Sequence, residues 1–321
     1  MESEMTTRGL LYLSLTVLGI PGNSIVIWAF VQLSYFERQL LPADAIVLHL
    51  AFANLMVVGV RCLLESLATF KVCNVFSSTG CKAVIFVYRT SRSLSIWLTF
   101  VLSAYQCLST AAPGSRWATA RTAMAKNLGG IFLLLWLLNT SMSSSAVLYS
   151  LSSSNNSSLM KHNINVQFCY VRFPSKLSVD ANGAVQVGRD LVPMILMTTA
   201  SVIILVFLYH HSHQIKNIRG NTNSRGGGPS AEQRAAITVV TLVMLYVTFY
   251  GVDNGLWMYT LFVKEAMSSS VVSDLRIFFS SLYAAISPFV IIVSNKKVNR
   301  LLRCQLGEKA LQSTKSDGHS V

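Results

Sequence analysis

Along this 321-residue chain the apolar positions gather into long segments separated by short polar stretches. Seven segments, each of about 20 or more mostly apolar residues, have the length a tilted helix needs to cross hydrocarbon. They run over Leu10–Leu33, Asp44–Leu67, Lys82–Leu108, Lys126–Leu148, Arg189–His211, Ala235–Phe262 and Val271–Val293. The pattern predicts an all-α membrane protein, a bundle of seven transmembrane helices. The first segment contains Pro21-Gly22-Asn23 and lacks a basic leader or a small-residue cleavage site, so it counts as a mature helix.

Composition agrees with that pattern. The chain is 52% hydrophobic and 12% charged, with a mean hydropathy of +0.50, unlike a soluble enzyme. Its net charge of +13 changes the picture only through where it lies. Arg116, Arg121 and Lys126 follow the third span; Lys216, Arg219, Arg225 and Arg234 follow the fifth; Lys296, Lys297, Arg300 and Arg303 follow the seventh. The positive-inside rule puts these segments in the cytoplasm and the N-terminus outside. Topology and contact with anionic membrane lipid account for this charge better than nucleic acid does.

The opposite side carries its own marks. Asn155-Asn156-Ser157-Ser158 holds two overlapping glycosylation acceptors, Asn155 and Asn156, in the loop between spans four and five. Asn139-Thr140-Ser141 also fits the acceptor pattern, but it lies within a span and reads as polar packing. Of six cysteines, Cys81 and Cys169 lie where an oxidising compartment would pair them, tying the loop to the bundle. Cys73 stands as the competing partner, since connectivity does not follow from sequence. Cys62 and Cys107 read as buried thiols, and Cys304 as a juxtamembrane thiol open to palmitoylation.

Seven spans, an outside N-terminus, an outer disulfide and a short basic amphipathic segment describe a G-protein-coupled receptor. Gly22-Asn23 and Trp136 resemble the anchors of rhodopsin-like members, but other signatures depart from them. Ala104-Tyr105-Gln106-Cys107 replaces the usual Asp-Arg-Tyr box, Ser287-Pro288-Phe289-Val290 replaces Asn-Pro-x-x-Tyr, and span six lacks Cys-Trp-x-Pro. With Leu41-Pro42-Ala43-Asp44-Ala45-Ile46-Val47-Leu48-His49-Leu50 leading to Ala53-Asn54, the chain resembles the vomeronasal type 1 receptors. Arg89-x-x-Arg92-Ser93-x-Ser95-Ile96, Ser103-x-Tyr105-Gln106, Glu232-x-Arg234-Ala235 and Ser287-Pro288-Phe289 extend the resemblance over nearly the whole chain. Gly251-Val252-Asp253-Asn254 is more similar to their fish relatives, the olfactory receptors related to class A.

The resemblance implies a chemosensory receptor in the plasma membrane of olfactory sensory neurons. It further implies a small odorant or pheromone as ligand and a G protein of the inhibitory or Go type as partner. It divides the chain into a receptor domain over 1–295, an amphipathic juxtamembrane helix over 296–306 and a flexible tail over 307–321. Tyr105, Gln106, Arg116, Arg234 and Lys296 are expected to face the G protein. A bitter-taste-type receptor is the alternative within the class. A small-solute transporter is the alternative outside it, though the chain shows no internal repeat.

Charged residues inside apolar spans are expensive and point to function. Arg89 and Arg92, three residues apart, share a helix face, so both guanidinium groups approach one carboxylate, sulfate or phosphate. Tyr88 occupies the level at which an amine receptor carries an acid, and Arg61, Arg189 and Arg276 lie near the outer ends of spans two, five and seven. The expected ligand is therefore a small anion, an aromatic acid or a conjugated steroid. The competing reading is a structural ion-pair framework in which Glu65 and Asp190 neutralise the arginines. Asp253 stands between three roles: facing the cavity, holding sodium or pairing with an arginine. His210, His211 and His213 mark an interface rather than a metal site, and Trp97, Trp136 and Trp257 read as packing residues. No catalytic constellation or cofactor-binding fingerprint appears, so neither an enzyme nor a cofactor is expected.

Overall fold

The computed structural model describes residues 2–37, 40–70, 78–110, 114–152, 163–166, 169–172, 175–219, 231–263 and 270–303. Helix α1 is Glu2–Glu37. The second span is continuous: α2, Pro42–Val57, passes through a π-helical stretch, Val58–Leu63, into α3, Leu64–Thr69. Then come α4, Ser78–Ser109, the bent pair α5, Arg116–Lys126, and α6, Leu128–Tyr149, and three short strands. Strands β1, Ser150–Ser152, β2, Asn163–Val166, and β3, Cys169–Arg172, form an antiparallel sheet in the order β1-β3-β2. Helices α7, Lys176–Arg219, α8, Ala231–Phe262, and α9, Ser270–Ser294, follow, with a short helical segment over 296–303.

Among the described residues, five helical spans are long and apolar enough to cross a membrane, and six if the bent pair counts as one. The seventh long helix, α4, is the exception for a physical reason. It packs against α2, α6, α7 and α8, and its polar side chains Thr90, Ser91, Arg92, Ser93, Ser95, Thr99, Ser103 and Gln106 are all buried. A helix surrounded by other helices needs no apolar face toward lipid. Outward-facing Leu133, Leu134, Leu137, Ile195, Val202 and Val293 carry the exposed apolar belt instead.

Lipid is as apolar as leucine, so helices in a membrane are held by close packing and interhelical hydrogen bonds. Both are present. Asn54 of α2 donates to Ser287 Oγ of α9 at 2.9 Å and accepts from Ser95 Oγ of α4 at 2.6 Å. Asn23 of α1 donates to the Ala284 carbonyl of α9 at 2.9 Å, and Ser93 of α4 donates to Asn139 of α6. The Asn139 motif is thus a packing device, as its place within a span suggests. Gly19 lets α1 close on its neighbours: a Cβ there would lie 2.9 Å from Val58 Cγ2 and 3.2 Å from the Ala285 Cα.

Three details differ from the sequence expectation. The stretch before span four is a separate exposed helix, α5, capped where the Ser115 hydroxyl accepts from Ala118 N at 3.3 Å, and bent 69° from α6. A strand pair and a third strand stand where a loop was expected, although the bundle itself is all-α. Helix α7 begins at Lys176, about 20 Å before Arg189 along the axis, so that arginine lies well inside the helix rather than at its end.

Gly19→Leu should force α1 off the π-helical stretch and α9, costing about 1–3 kcal/mol. Gly129→Leu, where added atoms meet open space, serves as the control. Thermal unfolding in detergent should show a lower midpoint for the first variant alone.

Candidate functional site

Two charge clusters, each built around a buried arginine, lie toward the end of the bundle that carries Cys81. The first centres on Arg92, buried on α4. Its Nη1 donates to Asp190 Oδ2 of α7 at 2.7 Å and its Nη2 to Asp253 Oδ2 of α8 at 2.5 Å. Its guanidinium lies 4.9 Å from the centre of the Tyr250 ring. One side chain thereby joins three helices through charge-assisted bonds.

Each aspartate holds a second arginine. Arg189 Nε lies 3.5 Å from Asp190 Oδ1, and Arg276 Nε of α9 lies 3.2 Å from Asp253 Oδ1. Arg276 also stacks over Trp257, 4.2 Å from the ring centre. Of the roles open to Asp253, pairing with arginines is the geometry observed. Arg89 differs from all of these. Gln186 of α7, with its carboxamide oxygen turned inward, accepts from Arg89 Nη1 at 3.1 Å and Nη2 at 3.2 Å. No carboxylate reaches Arg89 among the described residues.

The four arginines, Gln186, Asp253 and Trp257 line a cavity of about 70 Å³ together with Tyr88, Ile85, Ser273 and Ile277. Arg89 and Arg92 lie about 12 and 17 Å along α4 from Cys81, taken from helical rise. Tyr88 shares a hydrogen bond with Ser280 Oγ at 2.7 Å. It also stands under Arg61, 5.8 Å from the guanidinium carbon, and so separates the two clusters.

The second cluster contains Arg61 and Glu65. Arg61 Nη2 lies 3.5 Å from Glu65 Oε2, and Arg8 of α1 lies 3.6 Å from Glu65 Oε1. Arg8 Nε is also 3.1 Å from Asp274 Oδ1 of α9, which accepts from the Tyr12 hydroxyl at 3.3 Å. Glu65 therefore neutralises Arg61 and Arg8, not Arg89 or Arg92. The expected framework around Glu65 is a separate knot between α1, α3 and α9.

Several participants were missed by sequence reasoning. Gln186 is a neutral amide with no distinguishing signal. Arg8 and Asp274 stand near the ends of apolar segments, where charges usually read as flanks. Tyr250 and Trp257 had a usable signal: three residues before and four after Asp253, they share its helix face. Trp257 does more than pack, since it carries Arg276 over its ring.

At the other end of the bundle, Arg234 and Lys296 line a cavity of about 690 Å³ with Arg300, Arg303, Ile237 and Val293. Tyr105 is partly buried and Gln106 buried on α4, and Arg116 stands exposed on α5. Cys81 is buried and disulfide-bonded, and Cys62 and Cys107 are free thiols. Cys169 opens strand β3, but its side chain lies outside the described residues, as do Cys73, Cys304, Asn155, Asn156 and the segment 304–321.

The family model described as "Vomeronasal organ pheromone receptor family" matches residues 6–304. Olfactory receptor class A-like protein 1 of Danio rerio is 35% identical over 314 residues, covering 98% of this chain and 97% of its own. Vomeronasal type-1 receptor 1 of Homo sapiens is 26% identical over 292 residues, covering 91% and 81%. Vomeronasal type-1 receptor 44 of Mus musculus is 26% identical over 293 residues, covering 91% and 92%. The higher identity to the fish protein agrees with the reading of Gly251-Val252-Asp253-Asn254.

The geometry separates Arg92 from Arg89. Asp253→Asn should leave the buried Arg92 with one carboxylate and Arg276 with none, and cost about 3–5 kcal/mol, seen as lost surface expression and a lower melting temperature. Arg89→Gln removes no ion pair and should change stability by under about 1 kcal/mol.

Proposed function

The chain belongs to the vomeronasal organ pheromone receptor family and is a multi-pass chemosensory G-protein-coupled receptor; we propose that its ligand is a small organic acid bound at Arg89. The observation that carries this reading is the asymmetry within the cavity: Arg92 is held by two aspartates, whereas Arg89 meets the neutral Gln186 and, among the described residues, no carboxylate. An incoming carboxylate gains a charge-assisted bidentate contact at Arg89 without breaking an existing ion pair. Tyr88 and Trp257 line the same space and offer rings for an aromatic body.

Volume favours the smaller of the two expected ligands. Drug-sized molecules occupy pockets of about 300–1,000 Å³, and the cavity here measures about 70 Å³. A compact acid needs little opening of the bundle; a conjugated steroid needs a great deal. Arg61 and Glu65, tied to one another, act as support in this reading, while Arg189, Arg276 and Asp253 shape the field around the ligand.

The Cys81 end faces outward in this reading, with a Cys81–Cys169 bridge across it, and the arginine-rich end faces the cytoplasm. The basic cavity at Arg234 and Lys296 suits an acidic and apolar helix end, the chemistry of a G-protein terminus. An inhibitory-type or Go-type partner, and residence in olfactory sensory neurons, complete the reading. Residues 1–295 act as the receptor domain, 296–306 as a membrane-surface helix and 307–321 as a tail.

A screen of acids, amines and neutral odorants in cells expressing the chain tests the ligand class. Arg89→Gln should raise the half-maximal concentration of an acidic agonist about 10–100-fold at equal surface level. An unchanged acid response sinks the assignment. Currents that persist when G-protein signalling is blocked would favour the transporter alternative.

A further inference from the structure

The two charge clusters differ in balance. Around Glu65, two arginines, Arg8 and Arg61, meet two acids, Glu65 and Asp274, and the formal charge is zero. Around Asp190 and Asp253 stand four arginines, Arg89, Arg92, Arg189 and Arg276, and among the described residues those two acids are the ones paired with them, which leaves a surplus of two positive charges there. All four arginines line one small cavity, and Arg92 and Arg189 are buried. Like charges gathered away from water repel one another, and here two acids are shared by three arginines while Arg89 has no acid among the described residues. The neighbouring cluster shows that this bundle neutralises a buried arginine, Arg61, where an acid is supplied.

We propose that the cavity holds a resident inorganic anion, chloride, bound among Arg89, Arg189 and Arg276. The space fits the ion. About 70 Å³ is room for a few water-sized occupants, so a monovalent ion enters with part of its hydration. The donors fit as well, since guanidinium groups present several N–H bonds and, of the four, Arg92 is the one held by two carboxylates. Chloride lowers the repulsion among the arginines and holds α4, α7 and α9 in register while no agonist is bound. An agonist carboxylate enters by exchanging with it, one anion for another, at little electrostatic cost. That exchange rests on the acid-ligand reading; occupation by chloride does not.

The test uses purified full-length receptor in lipid nanodiscs without agonist, melted in chloride and in gluconate at equal ionic strength. Chloride should raise the melting temperature by about 2–4 °C along a saturable curve. Gln186→Glu places a built-in carboxylate beside Arg89 and should abolish the chloride-dependent rise. Arg303→Gln, at the exposed opposite end, should keep it. Chloride NMR line broadening should follow the same order. Equal melting of the wild type in both salts, or an undiminished rise in Gln186→Glu, overturns the proposal. If Gln186→Glu does not fold, Arg89→Gln is read instead: a smaller rise supports the ion site, and an unchanged rise refutes it. Neither result depends on finding an agonist.

Discussion

The clamp at Arg92 is the constraint around which the upper half of this bundle is arranged. A guanidinium buried among helices needs counter-charge, and here two carboxylates on different helices supply it. Asp190 and Asp253 cannot serve Arg92 unless α7 and α8 both approach α4 at the same depth. The Tyr250 ring closes the remaining side. Ionic chemistry thus sets a distance between three helices that apolar packing alone would leave loose, because lipid competes equally well for apolar faces.

Below that clamp the bundle changes its chemistry. Asn54 bonds Ser95 and Ser287, and the Tyr283 hydroxyl meets Thr99 Oγ1 at 2.9 Å. Tyr246 stacks on Tyr250 with ring centres 4.3 Å apart, and Tyr283 meets both edge-on. Neutral hydrogen bonds and aromatic contacts are cheaper to rearrange than a saturated ion pair. A receptor must shift between packings, and this layer connects the charged cavity to the half of the bundle where Arg234 and Lys296 stand. A ligand acting on Arg92, Asp253 or Tyr250 would bias that layer only to the extent that it binds one packing better than the other.

How much of this was legible in the chain varies with the kind of residue. The spans were legible because hydrocarbon imposes a minimum length, and the family because motifs such as Arg89-x-x-Arg92 and Ser287-Pro288-Phe289 survive in combination. The charges were legible individually: Arg61, Glu65, Arg92, Arg189, Asp253 and Arg276 all interrupt apolar segments. Their pairing was not. Glu65 looked available to Arg89 and Arg92, yet a helical neighbour and the distant Arg8 take it, and Gln186 carried no charge to mark it.

The sequence by itself determined a membrane-embedded helical receptor and, apart from Arg8 and Asp274, the charges within its spans, since these depend only on composition along each span. Tertiary structure decided the partition of that set. Coulombic partners are chosen by distance across helices, and a rotation or shift of one helix exchanges them without altering a single local pattern. Balanced pairs formed beside Arg61, a two-carboxylate clamp formed at Arg92, and Arg89 was left facing an amide across a small positive cavity, because only the packed bundle brings α4, α7, α8 and α9 to one depth.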